Sequence, residues 1–430
     1  MCLRRKRKVT LLFGAGASIP FFADGGDYLT TSYLTKQIRS IENWHSVIDK
    51  LNSTQPDTQC PSAENVLHLI DRIFAINADY NFEQCAEIID KIASINSDET
   101  DKTLLNVLLR TLGYNVHNEF CWNIVPFLFR EIIAQSIMDL HDAHKVTDYD
   151  KLCRLQYDFL CDITGEYSQV SIASLNYDEV LLDSIYNEEY GHSLGITPCL
   201  RDHKRGGTNL LYLDTQRFLK EDKVIYFPHG HLRLIYTDIS EVGYLHDVHN
   251  ADNQRWNGEG VTCLQSDGVF ATNYNTFITT GQTKDDALNL FPYSVYYQRL
   301  AIDCANSDAI VIIGYSFSDQ HINRLLGAFL QDPMHKLYVV DFYEKEVTMV
   351  DEYQEENNLI CKINRVVRCQ WNIKVDSKSH KEPMEDDIES INSNGYGFIF
   401  DNVVLYKKGY EEFLKEYSWI FSHQYPHNSK

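Results

Sequence analysis

The sequence lacks any cysteine pair with the C-x-x-C spacing that is typical of zinc ribbons and thioredoxin-like redox sites. Its 11 cysteines are scattered along 430 residues. A long apolar run is also missing before the first glycine, because the run at residues 9–13 is too short for a signal-peptide core or a membrane span. These absences predict a cytoplasmic protein with buried thiols, no disulfide framework and no membrane association.

Positive charge is scarce as well. The chain has 39 lysines and arginines against 61 aspartates and glutamates, a formal net charge of -22. An extended nucleic-acid surface needs a clustered positive field, so we expect no direct sequence-specific binding of nucleic acid. The basic run at residues 4–8 is interpreted as solvated charge leading into the first strand, with a nucleic-acid or partner-binding arm as the alternative.

The apolar segments predict an α/β fold. Hydrophobic residues make up 44% of the chain, enough for a large core and two or three domains. Strand-like runs occur at 9–13, 170–175, 224–227, 309–313 and 337–340, and the last two are continuously apolar, as in a parallel sheet covered on both faces. An amphipathic helix at 319–330 separates them, which is typical of a doubly wound, Rossmann-like sheet.

The remaining segments predict additions to this sheet. Residues 31–164 have helical spacing of apolar positions and form a large all-helical insertion domain between the first two strands. Residues 237–275 are polar and lack periodicity, which predicts a long loop over the site. Residues 346–430 form a small C-terminal α+β segment, so that 1–30 and 165–345 make up the Rossmann-like domain.

A glycine-rich turn follows the first strand, in the order Gly14, Ala15, Gly16, Ala17 and Ser18. A strand that ends in Gly-x-Gly and opens a helix is typical of a dinucleotide site, because glycines let the backbone approach a pyrophosphate. We therefore expect these five residues to contact the cofactor. A hydride-transferring dehydrogenase would share this turn, but it does not account for the His-Gly segment described next.

Four segments, taken in order, resemble the sirtuin family. They are the glycine turn, Asn176-Tyr177-Asp178, His229-Gly230, and the stretch Gly314 to Asp319, which closely resembles one in bacterial sirtuin-like proteins of anti-phage defence. The resemblance covers about half the chain, residues 8–30 and 165–345. It implies a Rossmann-like NAD-binding domain and an NAD glycohydrolase that depletes NAD when triggered. The missing C-x-x-C pairs disfavour structural zinc and lysine deacylation.

Hydrolysis of the nicotinamide–ribose bond passes through an oxocarbenium-like centre and needs a positioned water more than a strong nucleophile. Asn176 has an amide that can donate to and accept from ribose hydroxyls or water, and a helix cap is its alternative role. His229 is the candidate base, with a turn or core histidine as the alternative, and His231 is secondary. Asp178 is predicted to orient Asn176 or to bind a ribose hydroxyl, or to serve the helix start structurally.

Further candidate contacts follow the later strands. Gly314 and Ser316 belong to a second glycine turn, and Asp341 is the candidate acceptor for the adenosine ribose. His246 and His249 stand in a metal-like spacing without a third or fourth ligand, so solvated loop histidines are favoured over a metal site.

Two other functions, a non-catalytic sensor or scaffold and a less favoured protein-lysine deacylase, are retained, together with several partners. A non-catalytic nucleotide sensor or scaffold would use the same cradle, and NAD is then a ligand instead of the substrate. A toxic NADase needs an off state, so we expect a homo-oligomer or a partner such as a HerA-type ATPase or a short Argonaute. The apolar helices of residues 31–164 exceed what one sheet edge can cover, which supports such packing.

Overall fold

The computed structural model describes residues 7–23, 31–54, 61–96, 125–190, 193–202, 210–232, 234–238, 241–245, 264–266, 269–271, 274–275, 291–330, 332, 334–343, 359–368, 385–400 and 402–418. Among these residues, no helix is long and apolar enough to cross a membrane.

The described strands are β1 (Lys8–Phe13), β2 (Gln169–Ser174), β3 (Leu200–Asp202), β4 (Leu210–Leu213), β5 (Lys223–Tyr226), β6 (Leu234–Asp238), β7 (Glu241–Leu245), β8 (Leu264–Ser266), β9 (Val269–Ala271), β10 (Tyr274–Asn275), β11 (Ala309–Ile313), β12 (Lys336–Val340), β13 (Tyr396–Phe400) and β14 (Val403–Tyr406). The described helices are α1 (Thr31–Ile38), α2 (Ile41–Thr54), α3 (Ala63–Ile76), α4 (Phe82–Asn96), α5 (Val125–Ala143), α6 (Tyr149–Glu166), α7 (Val180–Tyr186), α8 (Thr215–Phe218), α9 (Tyr293–Asn306), α10 (Gln320–Phe329), α11 (Leu359–Arg368), α12 (Glu385–Asn394) and α13 (Tyr410–Glu416).

A seven-stranded sheet forms the centre of the fold, in the order β13-β14-β12-β11-β1-β2-β5. Its strands run parallel except β13, which is antiparallel to β14 at one edge. From β1 the chain builds β2 and β5 on one side and then β11 and β12 on the other. The predicted Rossmann-like parallel sheet is therefore confirmed, and its topological switch point lies between β1 and β11.

Helices cover both faces of this sheet. The side chains of β1 alternate between the two faces, and contacts of β1 show one helix on each. Phe13 makes an edge-to-face contact with Tyr410 of α13 on one face. On the other face the Lys8 ammonium lies 2.6 Å from a carboxylate oxygen of Asp303 in α9. Every residue of β1 is buried, as a central strand of a doubly wound sheet requires.

The helices between β1 and β2 have two packing environments. Most buried apolar side chains of α1 to α5 form a second hydrophobic cluster, which also includes Leu232. The buried apolar side chains of α6, and Leu140 of α5, belong to the cluster around the sheet. The large helical insertion is thus present as predicted. The division at residues 31–164 and 346–430 stays a prediction. The sequence also predicts a compact apolar helix at residues 104–112, which lies outside the described residues.

The prediction of a long loop at residues 237–275 is wrong for the residues of this range that the structure describes, which are 237–238, 241–245, 264–266, 269–271 and 274–275. Within this range the chain forms β7 to β10, and β6 and β7 pair in a five-stranded sheet of order β10-β6-β7-β4-β3, while β8 and β9 form a hairpin. These strands have only two to five residues each, too few for a detectable alternation of apolar side chains. They are held by antiparallel pairing, partly with distant strands, as β7 with β4 and β10 with β6.

Candidate active site

The predicted site residues follow the carboxyl ends of five neighbouring parallel strands. Gly14 follows β1, Asn176 follows β2, His229 follows β5, Gly314 follows β11 and Asp341 follows β12. The carboxyl ends of parallel strands meet at one edge of a sheet, and ligands of such sheets bind at the switch point of that edge. Because the switch point lies between β1 and β11, the two glycine turns face each other there.

The two glycine turns contact each other through their backbones. The Gly14 N–H donates to the carbonyl oxygen of Ile313, and the Gly16 N–H donates to that of Gly314, both at 2.9 Å. A Cβ on Gly14 would lie 2.6 Å from the Gly314 oxygen, and one on Gly16 would lie 2.8 Å from the Gly314 Cα. These glycines are therefore required by loop packing itself. Ala15 between them is exposed, and Ala17 is buried.

A chain of hydrogen bonds fixes the side chain of Asn176. Its Nδ2 donates to the Ser18 hydroxyl at 2.9 Å, and that hydroxyl hydrogen-bonds the carboxylate of Asp178. Asp178 also accepts from the backbone N–H of Val180, at the start of α7, at 3.1 Å. Asp178 therefore accepts from the first turn of α7, whereas the side chain of Asn176 bonds to Ser18 and does not cap the helix. Burial raises the pKa of Asp178 to about 6, although the hydrogen bonds from Ser18 and from the Val180 N–H act to lower it.

The amide oxygen of Asn176 is buried. Asn176 is 8% exposed, and its Oδ1 has no hydrogen-bond partner among the described residues. The hydrogen bond of Nδ2 to Ser18 fixes the orientation of the amide, and Oδ1, an amide oxygen, can only accept. A buried acceptor without a partner costs about 1–3 kcal/mol, which a hydroxyl group or a water molecule in the site would recover.

His229 forms a partly buried pair with Asp319. Its Nε2 lies 2.9 Å from Oδ2 of Asp319, and the side chains are 13% and 6% exposed. His229 lies in the turn after β5, where Gly230 has a φ of +88°. Sequence reasoning did not single out Asp319 as a site residue, although it ends the Gly314 to Asp319 stretch. An aspartate just before a helix is usually interpreted as its N-cap, and Asp319 also has that role.

His231 has a structural position. It is fully buried, and its Nε2 donates to the backbone carbonyl oxygen of Asp178 at 2.8 Å. Its ring centroid lies 4.2 Å from that of Phe227. His231 therefore ties the turn after β5 to the turn after β2, which places His229 and Asn176 on loops that contact each other.

The two remaining predicted contacts lie nearer the surface. Ser316 is exposed, and its hydroxyl donates to the Ser318 hydroxyl at 3.0 Å. Asp341, two strands away from β1, accepts from the backbone N–H of Phe342 at 2.7 Å. Burial raises the pKa of Asp341 to about 6, and Lys362 acts in the opposite direction. Both residues lie at the carboxyl ends of the parallel strands, as predicted.

Tyr297 of α9 is a candidate site residue that the sequence did not reveal. Its hydroxyl is buried and has no hydrogen-bond partner within the part of the chain that is described. Burial raises its pKa, and the nearby Asp319, Tyr315 and Tyr177 raise it further. The hydroxyl is therefore close enough to Asp319 and Tyr177 to interact with them electrostatically. No motif marks Tyr297, because only the packing of α9 brings it there.

We expect Tyr297→Phe to raise the free energy of unfolding of the ligand-free protein by about 1 kcal/mol, because the substitution removes a buried hydroxyl without a partner. Denaturant unfolding measures the change. Tyr226→Phe is the matched control, since the buried Tyr226 hydroxyl donates to Asp303 at 2.8 Å and its loss should destabilise the protein. A loss of stability in both variants would contradict the assignment of Tyr297.

The described residues contain no group of three or more histidines, cysteines, aspartates or glutamates that could hold a metal ion. His246 and His249 lie outside the described residues. The cysteines that the structure describes are free, and Cys85, Cys153, Cys199 and Cys304 are buried.

Comparisons with known proteins give a structural likeness. No protein-family model matches the chain, and no curated protein matches it. Similar solved structures are Sir2Tm bound to a propionylated peptide (12% identity, 86% of this chain and 95% of that chain, TM-score 0.32) and one from work on the structural basis of sirtuin substrate affinity (12%, 85% and 94%, 0.34). Another is Sir2 with an inhibitor, 2'-O-acetyl-ADP-ribose and a deacetylated peptide (12%, 86% and 96%, 0.31). These TM-scores are low, so the fold assignment rests on the strand order described above.

Proposed function

We propose that the protein hydrolyses NAD to nicotinamide and ADP-ribose. The observation that carries this proposal is that a buried acceptor without a partner among the described residues and a partly buried histidine–carboxylate pair both lie at the switch-point end of the sheet. Asn176 supplies the acceptor, and His229 with Asp319 supplies the pair. A pure nucleotide-binding module needs neither a histidine base nor its carboxylate.

The residues have complementary roles in this reaction. The Oδ1 of Asn176 accepts from a ribose hydroxyl or from the attacking water and so fixes it near the anomeric carbon. His229 takes the proton that this water loses as the carbon–nitrogen bond breaks. Nicotinamide leaves as a neutral molecule, so no strong acid is required. The glycine turns place backbone N–H groups at the same edge, where a pyrophosphate would lie.

We assign the enzyme to bacterial anti-phage defence, as a cytoplasmic effector that depletes NAD when triggered. The support is the likeness of residues 314–319 to the sirtuin-like proteins of that class. Control of such an enzyme requires an off state, and we include in the proposal a homo-oligomer or a partner protein such as a HerA-type ATPase or a short Argonaute. Packing of the helical insertion and of the C-terminal segment against another chain would supply that state.

A non-catalytic nucleotide sensor is the second candidate. The observation in its favour is that Gly14 and Gly16 are explained by loop packing alone, so the turn itself does not imply catalysis. The Sir2 proteins with solved structures were studied with acylated or deacetylated peptides, but this chain has no C-x-x-C pair, and a deacylase is not proposed.

We expect Asn176→Ala to lower NAD turnover by at least ~10²-fold without loss of fold, since it removes the group that fixes the reacting hydroxyl or water. Chromatography of nicotinamide and ADP-ribose measures turnover, with and without candidate partners. Asn402→Ala is the matched control. Asn402 is also buried with amide atoms that lack partners among the described residues, but it lies beside Leu337 at the opposite edge of the sheet.

Equal activity of the wild type and of Asn176→Ala would show that the site is misplaced. Intact NAD in every condition, together with measurable NAD binding, would favour the sensor.

A further inference from the structure

We propose that Asp319 is a positioning residue that holds His229 in the Nε2–H tautomer, so that Nδ1 is the nitrogen that receives the proton. The proposal rests on the proposed function for its catalytic consequence. Its structural content, the tautomer, is independent of any activity.

The two carboxylate oxygens of Asp319 have different partners. Oδ1 accepts from the backbone N–H of His321 at 2.8 Å and of Ile322 at 3.4 Å, which makes Asp319 the N-cap of α10. Oδ2 lies 2.9 Å from Nε2 of His229. Because α10 holds Oδ1, the carboxylate cannot rotate freely, and Oδ2 stays directed at the imidazole. The first turn of α10 therefore fixes, through Asp319, the orientation of His229, which lies 90 residues earlier in the chain.

The segment before Asp319 is held equally firmly. The Tyr315 hydroxyl accepts from the backbone N–H of Asp319 at 3.2 Å and lies 3.0 Å from its carbonyl oxygen. Nδ2 of Asn323 donates to the carbonyl oxygen of Phe317 at 2.9 Å, and Phe317 has a φ of +55°. A backbone in this region is unfavourable for a large side chain and persists only where its surroundings fix it. The position of the carboxylate is therefore determined by the fold.

A carboxylate can only accept a hydrogen bond, so Nε2 of His229 must carry the hydrogen. In the neutral imidazole the basic nitrogen is then Nδ1. In the reaction, a proton of the water moves to Nδ1 while its oxygen bonds to the anomeric carbon, and the nicotinamide nitrogen keeps the electron pair of the broken bond. Asp319 stays ionised and stabilises the imidazolium, which later returns its Nδ1 proton to solvent.

Asp319→Asn separates the positioning role from the capping role. Asparagine is as good an N-cap as aspartate, so α10 should keep its start. Its amide presents either a donor or a neutral acceptor to His229 and removes the charge that stabilises the imidazolium. We expect turnover to fall ~10²–10⁴-fold, the range for loss of a correctly prepared base. Nitrogen-15 NMR of labelled histidine is expected to show the Nε2–H form in the wild type and a mixed or Nδ1–H form in the variant.

Asp214→Asn is the matched control. Asp214 is the N-cap of α8 and accepts from the backbone N–H of Arg217 at 3.1 Å, so the same exchange is made at a cap that carries no site residue. Its turnover and its His229 signals should match those of the wild type.

The outcomes are distinguishable. An Nδ1–H form of His229 in the wild type overturns the proposal, whether or not Asp319→Asn folds. Wild-type turnover in Asp319→Asn also overturns it. If the wild type binds NAD without hydrolysing it, the proposed function fails, and the tautomer measured by NMR still decides whether Asp319 positions His229.

Discussion

Gly314→Ala is expected to lower the free energy of unfolding by about 2–5 kcal/mol, the sum of a left-handed backbone penalty and overpacking. Gly314 has a φ of +62°, where residues with a Cβ are disfavoured. A Cβ there would lie 2.2 Å from the Ala17 nitrogen and 2.3 Å from the Gly16 carbonyl carbon. Neither atom can move without displacing the turn after β1. Denaturant unfolding followed by circular dichroism measures the change.

Gly165→Ala is the control for this substitution. Gly165 lies in α6, and a Cβ there would meet no atom within 4 Å. Alanine has the higher helix propensity, so this variant should gain about 0.5–1 kcal/mol. A Gly314→Ala protein as stable as the wild type would show that the two turns do not touch as described.

The same contacts decide how nucleotide binding can be tested. Substitutions of Gly14 or Gly16 would disrupt the packing of the turns, so a loss of NAD binding in such variants would not identify a pyrophosphate contact. Asn176 and His229 are better targets, because their side chains project from loops whose backbones are held by other groups.

The sheet was largely predictable from the sequence. The runs at 309–313 and 337–340 are continuously apolar and β-branched, and the corresponding strands β11 and β12 are buried along nearly their whole length. Burial on both faces leaves such a signal in the sequence. The second sheet leaves none, because its strands are short and β7 pairs with β4, about 30 residues earlier in the chain.

The position of the site was predictable in outline and its contacts were not. Polar residues that follow parallel strands must share one edge of the sheet, whatever the intervening loops do. The hydrogen bond of Asn176 with Ser18 spans 158 positions, and that of His229 with Asp319 spans 90. Such pairs depend on strand order, which a single sequence does not specify. Asp319 was missed because its local role as a helix cap fully accounts for its place in the sequence.

A buried ion network joins α9 to the central sheet. Asp303 of α9 is fully buried and lies 2.6 Å from the Lys8 ammonium. It also accepts from Nε of Arg299 through both oxygens, at 2.9 and 3.0 Å, and from the Tyr226 hydroxyl at 2.8 Å. The network joins α9 to β1 and β5, and one carboxylate balances two buried cations.

Asp303→Asn is therefore expected to lower the free energy of unfolding by about 3–5 kcal/mol, since it leaves Lys8 and Arg299 buried without a counter-charge. Asp158→Asn is the control, because Asp158 pairs with Arg154 on the surface, where both side chains are nearly half exposed. That exchange should cost less than about 1 kcal/mol. Similar losses in both variants would mean that water reaches the network. Because α9 also carries Tyr297, a displacement of α9 should change the nitrogen-15 NMR signals of His229 as well. Stability and site geometry would then both depend on the charge of Asp303.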